Sequence, residues 1–88
     1  IKEVILNEQS IKESIRAYII KELIRDDNYE LTDEERIISN GLMDSFALAE
    51  LGVFLEEEFD VYIPDPDLTV EKMDSLNLIV ARLMRDIG

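Results

Sequence analysis

The sequence contains no histidine and no cysteine, and these two absences exclude most catalytic and metal-binding chemistry. Without histidine there is no Ser-His-Asp triad, no zinc protease motif and no imidazole metal site. Without cysteine there is no disulfide and no thiolate nucleophile. The three glycines are isolated from one another, so no glycine-rich phosphate loop is present. We therefore expect a protein that is not an enzyme and has no metal site.

Basic residues are also scarce, with nine Lys and Arg against 21 Asp and Glu, for a net charge of −12. Such a surface repels nucleic acid phosphates and anionic lipid headgroups, and attracts partners that carry Lys or Arg patches. No apolar run has the length of a membrane span, and no signal-peptide pattern opens the chain. We expect a cytoplasmic monomer that binds neither nucleic acid nor membranes. The alternative is that the charge only keeps a small domain soluble.

A single small domain is expected from 88 residues, of which 47% are hydrophobic. Residues 1–9 have mixed character and are predicted to be a lead-in, with the domain itself in residues 10–88. Ser10 and Glu13 fit the capping-box pattern, so the first helix is predicted to begin just after Ser10. It should end near Arg25, because apolar residues recur at helical spacing up to that point: Ile11, Ile15, Tyr18, Ile19, Leu23 and Ile24.

A long connection over residues 29–43 is predicted to follow, with apolar anchors spaced along it: Leu31, Ile37, Ile38 and Leu42. The second helix should then begin at Asp44 or Ser45 and end near Glu58. Its core-facing stripe is marked by apolar residues at helical spacing: Leu48, Leu51, Leu55 and Phe59.

Two further helices are predicted after a Pro-Asp-Pro-Asp turn at residues 64–67, which cannot lie inside a helix. Thr69 should cap a short third helix that ends near Met73. Asp74 should cap a fourth helix, with one apolar side: Leu76, Ile79, Val80, Leu83 and Ile87. The predicted fold class is all-α, a four-helix bundle with three long helices, one short helix and a long first loop.

Ser45 lies where the long loop meets the second helix, just after an Asn40-Gly41 turn signal. The first N–H groups of a helix are unpaired, and the helix dipole favours an anion beside them. A serine at this place is therefore well suited to carry a phosphodiester. The alternative is that Asp44 or Ser45 only caps the helix.

Three motifs around this serine occur in a characteristic order: Asp44-Ser45-Phe46, then Leu55-Glu56-Glu57-Glu58-Phe59, then Ile63-Pro64-Asp65. Their order and spacing resemble the acyl carrier protein family. In that family an Asp-Ser-Leu motif opens the second helix, a run of Glu before Phe closes it, and an Ile-Pro-Asp turn follows. The resemblance covers Leu42 to Ile87 in register and implies the family's four-helix bundle.

The resemblance implies that Ser45 receives a covalent 4′-phosphopantetheine arm from coenzyme A, with Asp44 beside it in the attachment motif. A separate phosphopantetheinyl transferase performs that step with magnesium, so the carrier needs no base of its own. The arm ends in a thiol that holds acyl groups as thioesters. The implied role is that of a non-catalytic carrier, which explains how a chain without cysteine takes part in thiol chemistry.

One face of the second helix is expected to dock partner enzymes. Its residues fall together by helical spacing and lie outside the core stripe: Phe46, Ala49, Glu50, Val53, Glu56 and Glu57. An apolar centre edged with acid resembles the face by which the family docks onto basic patches. The alternative is an ordinary solvated face with scattered apolar residues.

A second serine competes for the attachment site, because Asp74-Ser75-Leu76 is literally the family's tripeptide. That tripeptide follows the Ile-Pro-Asp turn and heads the last helix, with no Glu-rich segment or Pro turn after it. We therefore interpret it as a helix cap and place the arm on Ser45. Three departures from the family pattern remain: Phe46 stands in place of Leu, Gly52 lies inside the second helix, and extra residues precede the first helix. Gly52 is predicted either to permit a close approach or to leave room beside the core.

The Gly-Gly-x-Ser pattern of peptidyl carriers is absent. Residues 40–45, with Asp67-Leu68-Thr69 later, look more like the discrete carriers of polyketide or similar specialised pathways, so we expect a free-standing carrier of that kind. Fatty-acid synthesis and an aminoacyl cargo are the alternatives. The expected partners are the transferase, an acyl-loading ligase or acyltransferase, and a ketosynthase or other pathway enzyme with a basic surface. A rival of another class is an unmodified acidic helical adaptor that binds a basic protein surface, in which Ser45 is only a cap.

Overall fold

The computed structural model describes residues 7–87, and all regular elements within that range are helical. The α-helices are α1 (Glu8–Tyr18), α2 (Ser45–Phe59), α3 (Val70–Met73) and α4 (Leu76–Ile87). A π-helical segment, Ile19–Ile24, continues α1, and a 3₁₀ turn, Asp65–Asp67, precedes α3. The predicted all-α bundle of four helices is confirmed. Of the lead-in predicted for residues 1–9, residues 1–6 lie outside the described range.

The predicted start of α1 is wrong, because Asn7 rather than Ser10 caps the helix. Asn7 has an extended backbone (φ −95°, ψ 159°), and its side chain accepts a hydrogen bond of 2.8 Å from the N–H of Ser10. Asn is as good an N-cap as Ser, so the earlier residue takes the role and Ser10 falls inside the helix. Glu13 does not reach back; it accepts hydrogen bonds from Arg16 at 3.0 and 3.1 Å.

The first helix ends where predicted, but its last turn has π geometry. The N–H of Arg25 donates to the carbonyl of Ile20 at 2.8 Å, and Arg25 closes the segment in the left-handed region (φ 63°). Ile19 is fully buried, and three other apolar side chains of this segment pack against the core: Ile20, Leu23 and Ile24. The spacing of these residues gave no sign of the wider turn.

A hydrophobic core lies between the helices and includes side chains from the loop before α2 and from the segment between α2 and α3. Its buried members come from every α-helix and from the loops: Ile11, Ile15, Ile19, Leu31, Ile37, Met43, Leu48, Leu51, Leu55, Val61, Ile63, Met73, Leu76, Ile79, Val80 and Leu83. The predicted stripes of α2 and α4 are therefore confirmed, except that Phe59 and Ile87 are only partly buried. Met43, which precedes the site, was not predicted to be buried.

The loop between the first two helices contains turns but no helix of its own, and ionic contacts tie it to α1. Asp33 forms ion pairs with Arg16 at 2.5 Å and Lys12 at 3.1 Å. The Arg16 guanidinium also donates to the carbonyl of Leu31, which is buried. The hydrogen bonds from Arg16 and then Lys12 hold the pKa of Asp33 below its usual value. The loop is thus fixed along α1 rather than free in solvent.

A second ionic cluster fixes the segment between α2 and α3 onto α4. The Arg82 side chain is buried and pairs with Asp67 at 2.9 Å and Asp86 at 3.1 Å. Lys72 pairs with Asp67 at 2.6 Å. Hydrogen bonds from Lys72 and then Arg82 lower the pKa of Asp67. Every buried side-chain nitrogen or oxygen in the described part of the chain has a hydrogen-bond partner.

Two kinds of feature are absent from residues 7–87. None of the helices there combines the length and apolar character needed to cross a membrane. Within the same range, no group of three acidic side chains is placed to hold a metal ion.

Candidate functional site

Ser45 is the first residue of α2, and its surroundings leave its hydroxyl group open. Asp44 has an extended backbone (φ −102°) and caps the helix, since its carboxylate accepts a 2.9 Å hydrogen bond from the N–H of Ala47. Ser45 itself is exposed, and its side chain has no hydrogen-bond partner among residues 7–87. As predicted, α2 begins at this point. The capping alternative applies to Asp44, which leaves the hydroxyl of Ser45 without a capping role.

The chain reaches Ser45 through a tight turn anchored by a buried side chain. Gly41 has φ 86°, a conformation that favours glycine, and its N–H donates to the carbonyl of Ile38 at 3.0 Å. The carbonyl of Ile37 accepts from the N–H groups of Leu42 and Met43 at 2.9 and 3.1 Å. The Met43 side chain is buried, so the turn has a fixed place in the core. The three residues that follow, Asp44, Ser45 and Phe46, are exposed.

Asp74 connects this turn to the far end of the chain. Its carboxylate accepts three hydrogen bonds, from the N–H of Ile38 at 2.8 Å, the N–H of Ser39 at 2.9 Å and the hydroxyl of Ser39 at 2.6 Å. Its backbone carbonyl accepts from the N–H of Ile37 at 2.7 Å. Burial by itself raises the pKa of Asp74, but these bonds from Ser39 and Ile38 outweigh it, and the pKa is lowered.

The predicted cap of α4 is therefore wrong: Asp74 binds the loop, and Ser75 caps the helix. The Ser75 hydroxyl oxygen accepts from the N–H of Leu78 at 3.2 Å, and the carbonyl of Ser75 accepts from the N–H of Ile79 at 2.9 Å. Ser75 is buried, with 8% of its surface exposed. Leu76 is core, as predicted. All three residues of Asp74-Ser75-Leu76 thus make structural contacts, whereas the hydroxyl group of Ser45 makes none within residues 7–87.

The six residues predicted to form a docking face are all exposed on the outer side of α2: Phe46, Ala49, Glu50, Val53, Glu56 and Glu57. Two of them are large exposed apolar side chains, with 83% of Phe46 and 55% of Val53 accessible to solvent. The three glutamates form no ion pair with any residue in the range 7–87. This docking face therefore has an exposed apolar centre and uncompensated negative charge.

Aromatic residues beside the docking face were missed by the sequence analysis. Tyr18 was assigned to the apolar stripe of the first helix, yet it is only partly buried. Its ring stacks on Phe54 of α2, with centroids 3.9 Å apart and planes 9° from parallel. Its hydroxyl lies 3.4 Å from the carbonyl oxygen of Glu50. Periodicity gave no signal for this contact, because it joins residues of two different helices.

The opposite flank of the docking face is formed by the chain after α2. Tyr62 is exposed over 63% of its surface, whereas its neighbours Val61 and Ile63 are buried. A methyl group of Leu68 lies 3.4 Å from the place where a side chain on Gly52 would begin. Because this is an ordinary van der Waals distance, a methyl group fits at position 52, and the packing of Leu68 does not require glycine there.

Comparison with known proteins supports one family, although no family model matches the chain. A D-alanyl carrier protein of Lactobacillus acidophilus is 40% identical over 50 residues, which cover 57% of this chain but only 63% of that protein. An acyl carrier protein of Helicobacter hepaticus is 36% identical over 69 residues, covering 78% of this chain and 87% of that protein. A D-alanyl carrier protein of Streptococcus suis is 34% identical over 71 residues, covering 81% and 87%. Because the last two matches span most of both chains, this protein belongs to the acyl carrier protein family.

Proposed function

We propose that Ser45 carries a 4′-phosphopantetheine arm and that the protein holds an aminoacyl cargo on this arm as a thioester. The observation that supports the attachment site is the contrast between two serines. Ser45 is exposed at the start of a 15-residue helix, and its hydroxyl has no partner in the described chain. Ser75 is buried, and its hydroxyl accepts a backbone hydrogen bond. A transferase can approach only the first of these hydroxyl groups without unfolding the helix start.

The start of α2 also suits the charge of the attached group. Attachment forms a bond between the Ser45 oxygen and phosphorus and breaks the pyrophosphate link of coenzyme A. Adenosine 3′,5′-bisphosphate is the leaving group, and the serine proton goes to a base of the transferase. The product is a phosphodiester anion, which the open N–H groups and the dipole of a helix start stabilise. The Asp44 carboxylate is engaged with the N–H of Ala47, so this acid holds the helix start in place. When bound, the arm supplies the thiol that this chain lacks.

The names of the relatives favour the aminoacyl alternative over the polyketide cargo expected from the motif. The proteins from Lactobacillus acidophilus and Streptococcus suis are both named D-alanyl carrier proteins, and the one from Helicobacter hepaticus is named acyl carrier protein. We therefore propose a small amino acid, of the D-alanine class, as the cargo. A ligase that adenylates the amino acid would load it, which takes the place of the expected ketosynthase among the partners.

The docking face is proposed as the surface that these partners share. Association of an acidic face with a basic one raises the rate of encounter and disfavours partners of like charge. The exposed Phe46 and Val53 would supply the apolar contact at its centre. Since Phe46 is adjacent to Ser45, a partner seated on this face reaches the arm at its attachment point.

Intact-mass measurement tests the attachment site. The protein is incubated with coenzyme A, magnesium and a broad-specificity phosphopantetheinyl transferase, with Ser45→Ala and Ser75→Ala run in parallel. We expect one added phosphopantetheine in the parent protein and in Ser75→Ala, and none in Ser45→Ala. No addition to folded protein with several transferases would support the rival of another class, the unmodified acidic adaptor.

A second mass measurement tests the cargo. The arm-bearing protein is incubated with ATP and a D-alanine-adenylating ligase, or with malonyl-coenzyme A and an acyltransferase. We expect the aminoacyl adduct, and we expect hydroxylamine to remove it because thioesters react with hydroxylamine. If the acyltransferase loads the arm and the ligase does not, the aminoacyl cargo is contradicted and the polyketide and fatty-acid alternatives are supported.

A further inference from the structure

A cleft opens beside the docking face, between α1 and α2. It has a volume of about 280 Å³ and is lined by Tyr18, Glu50, Val53, Phe54 and Glu57. Three of these residues belong to the docking face, and the two aromatic residues do not. We call this space the aromatic cleft. It extends the acidic surface of α2 onto the first helix.

The aromatic wall of the cleft is held in place by its own contacts. Tyr18 and Phe54 are stacked, and Phe54 also meets Phe59 edge to face, with centroids 6.0 Å apart and planes at 90°. The ring faces of aromatic side chains carry negative charge density and attract cations within about 6 Å. Because the rings already pack against one another, a cation that binds here does not have to order the aromatic side chains.

The carboxylates of the cleft add negative charge to that of the ring faces. Glu50 and Glu57 lie on its wall and form no ion pair with any residue between Asn7 and Ile87. Helix α2 contains no Lys or Arg that could pair with them. The negative field is also felt at the neighbouring phenol: burial and then the charges of Glu50, Glu22 and Glu57 raise the pKa of Tyr18. An aromatic wall with uncompensated carboxylates is complementary to a cation.

We propose that the aromatic cleft binds an arginine side chain of a partner protein. The guanidinium group packs against the exposed surface of the Tyr18–Phe54 pair and donates to the carboxylate of Glu50 or Glu57. Arginine fits better than lysine, because its planar group stacks on rings and donates in two directions to a carboxylate. The identity of the partner, an enzyme that acts on the carrier, rests on the proposed function. The binding of the guanidinium does not depend on an arm at Ser45.

Nuclear magnetic resonance titration at low ionic strength tests the proposal. The isotope-labelled full chain is titrated with acetyl-tetra-arginine amide, and separately with acetyl-tetra-lysine amide. We expect the largest shifts at the ring signals of Tyr18 and Phe54, and tighter binding of the arginine peptide. Tyr18→Leu should weaken that binding about two- to fivefold. Tyr62→Leu, which removes an exposed tyrosine on the other flank, should leave it unchanged.

A second variant guards against loss of folding in Tyr18→Leu. Glu50→Gln combined with Glu57→Gln changes only exposed side chains and should weaken the arginine peptide while the circular dichroism spectrum is retained. Largest shifts elsewhere on the surface, equal binding of the two peptides, or equal losses in Tyr18→Leu and Tyr62→Leu would each overturn the proposal. The mass measurement on Ser45 is independent, so failure of the cleft and failure of the carrier assignment are distinguishable.

Discussion

Replacing Asp74 with Ala removes the acceptor that holds the loop before Ser45. Three hydrogen bonds end on this carboxylate, at 2.6 to 2.9 Å, and 7% of Asp74 is exposed. A hydrogen bond to a charged group contributes about 1.5–3 kcal/mol. Ser39 is exposed and Ile38 half-buried, so water replaces part of what is lost. We therefore expect Asp74→Ala to lower the free energy of unfolding by about 2–4 kcal/mol.

Asp74→Asn tests the contribution of the charge, because asparagine has nearly the same shape as aspartate but is neutral. Its amide oxygen can still accept from the N–H groups of Ile38 and Ser39, which both bind the same carboxylate oxygen. The amide NH2 group replaces the oxygen that accepts from the Ser39 hydroxyl, so that hydrogen bond must reverse its direction. Together with the loss of the charge, we expect a cost of about 1 kcal/mol. Urea unfolding followed by circular dichroism at pH 7 measures both variants, with the exposed Asp65→Asn as the matched control. An Asp74→Ala variant as stable as that control would refute the reasoning.

The stability difference between the parent protein and Asp74→Asn should depend on pH, because the pKa of Asp74 is lowered. A carboxyl with a lower pKa in the folded state stabilises the fold above its unfolded pKa, about 3.9. That contribution is lost as the pH falls through the folded pKa. The difference between parent and Asp74→Asn should therefore be full at pH 7 and disappear at strongly acid pH. Comparing the two at each pH cancels the self-repulsion of the net charge of −12. A difference that persists unchanged in strong acid would contradict this assignment.

Three smaller changes test other parts of the structure by the same unfolding assay. Gly52→Ala should stabilise α2 by up to about 1 kcal/mol, because alanine favours the helix and the methyl group of Leu68 would lie at an ordinary contact distance of 3.4 Å. A lower urea midpoint would show that Leu68 cannot adjust to the added methyl group. Ser75→Ala should cost about 1 kcal/mol by removing the cap of α4 while phosphopantetheine addition is retained. Arg82→Met should cost about 2 kcal/mol, since Asp67 loses its buried partner but keeps a lysine; an unchanged midpoint would contradict this ionic anchor.

Local patterns were sufficient where the deciding contacts lie within one helical turn. Asp44 and Thr69 were correctly predicted at helix starts, because each caps an N–H three residues ahead. The same reasoning failed at Ser10, where Asn7 offered an equally good cap at an earlier position. It failed at Asp74 because the carboxylate has partners 35 and 36 residues away, and only then does Ser75 become the cap.

The amino-acid sequence by itself determined the four helices, the core stripes of α2 and α4, and Ser45 as the candidate attachment site. These follow from helical periodicity, capping residues and the order of three motifs, all of which are local along the chain. Only the tertiary structure showed that Ser45 is exposed, whereas Ser75 is buried and hydrogen-bonded to the backbone. It also decided that Tyr18 stacks on Phe54 beside the docking face instead of filling the core. Burial and long-range contacts depend on how helices meet, and helical spacing alone carries no information about that.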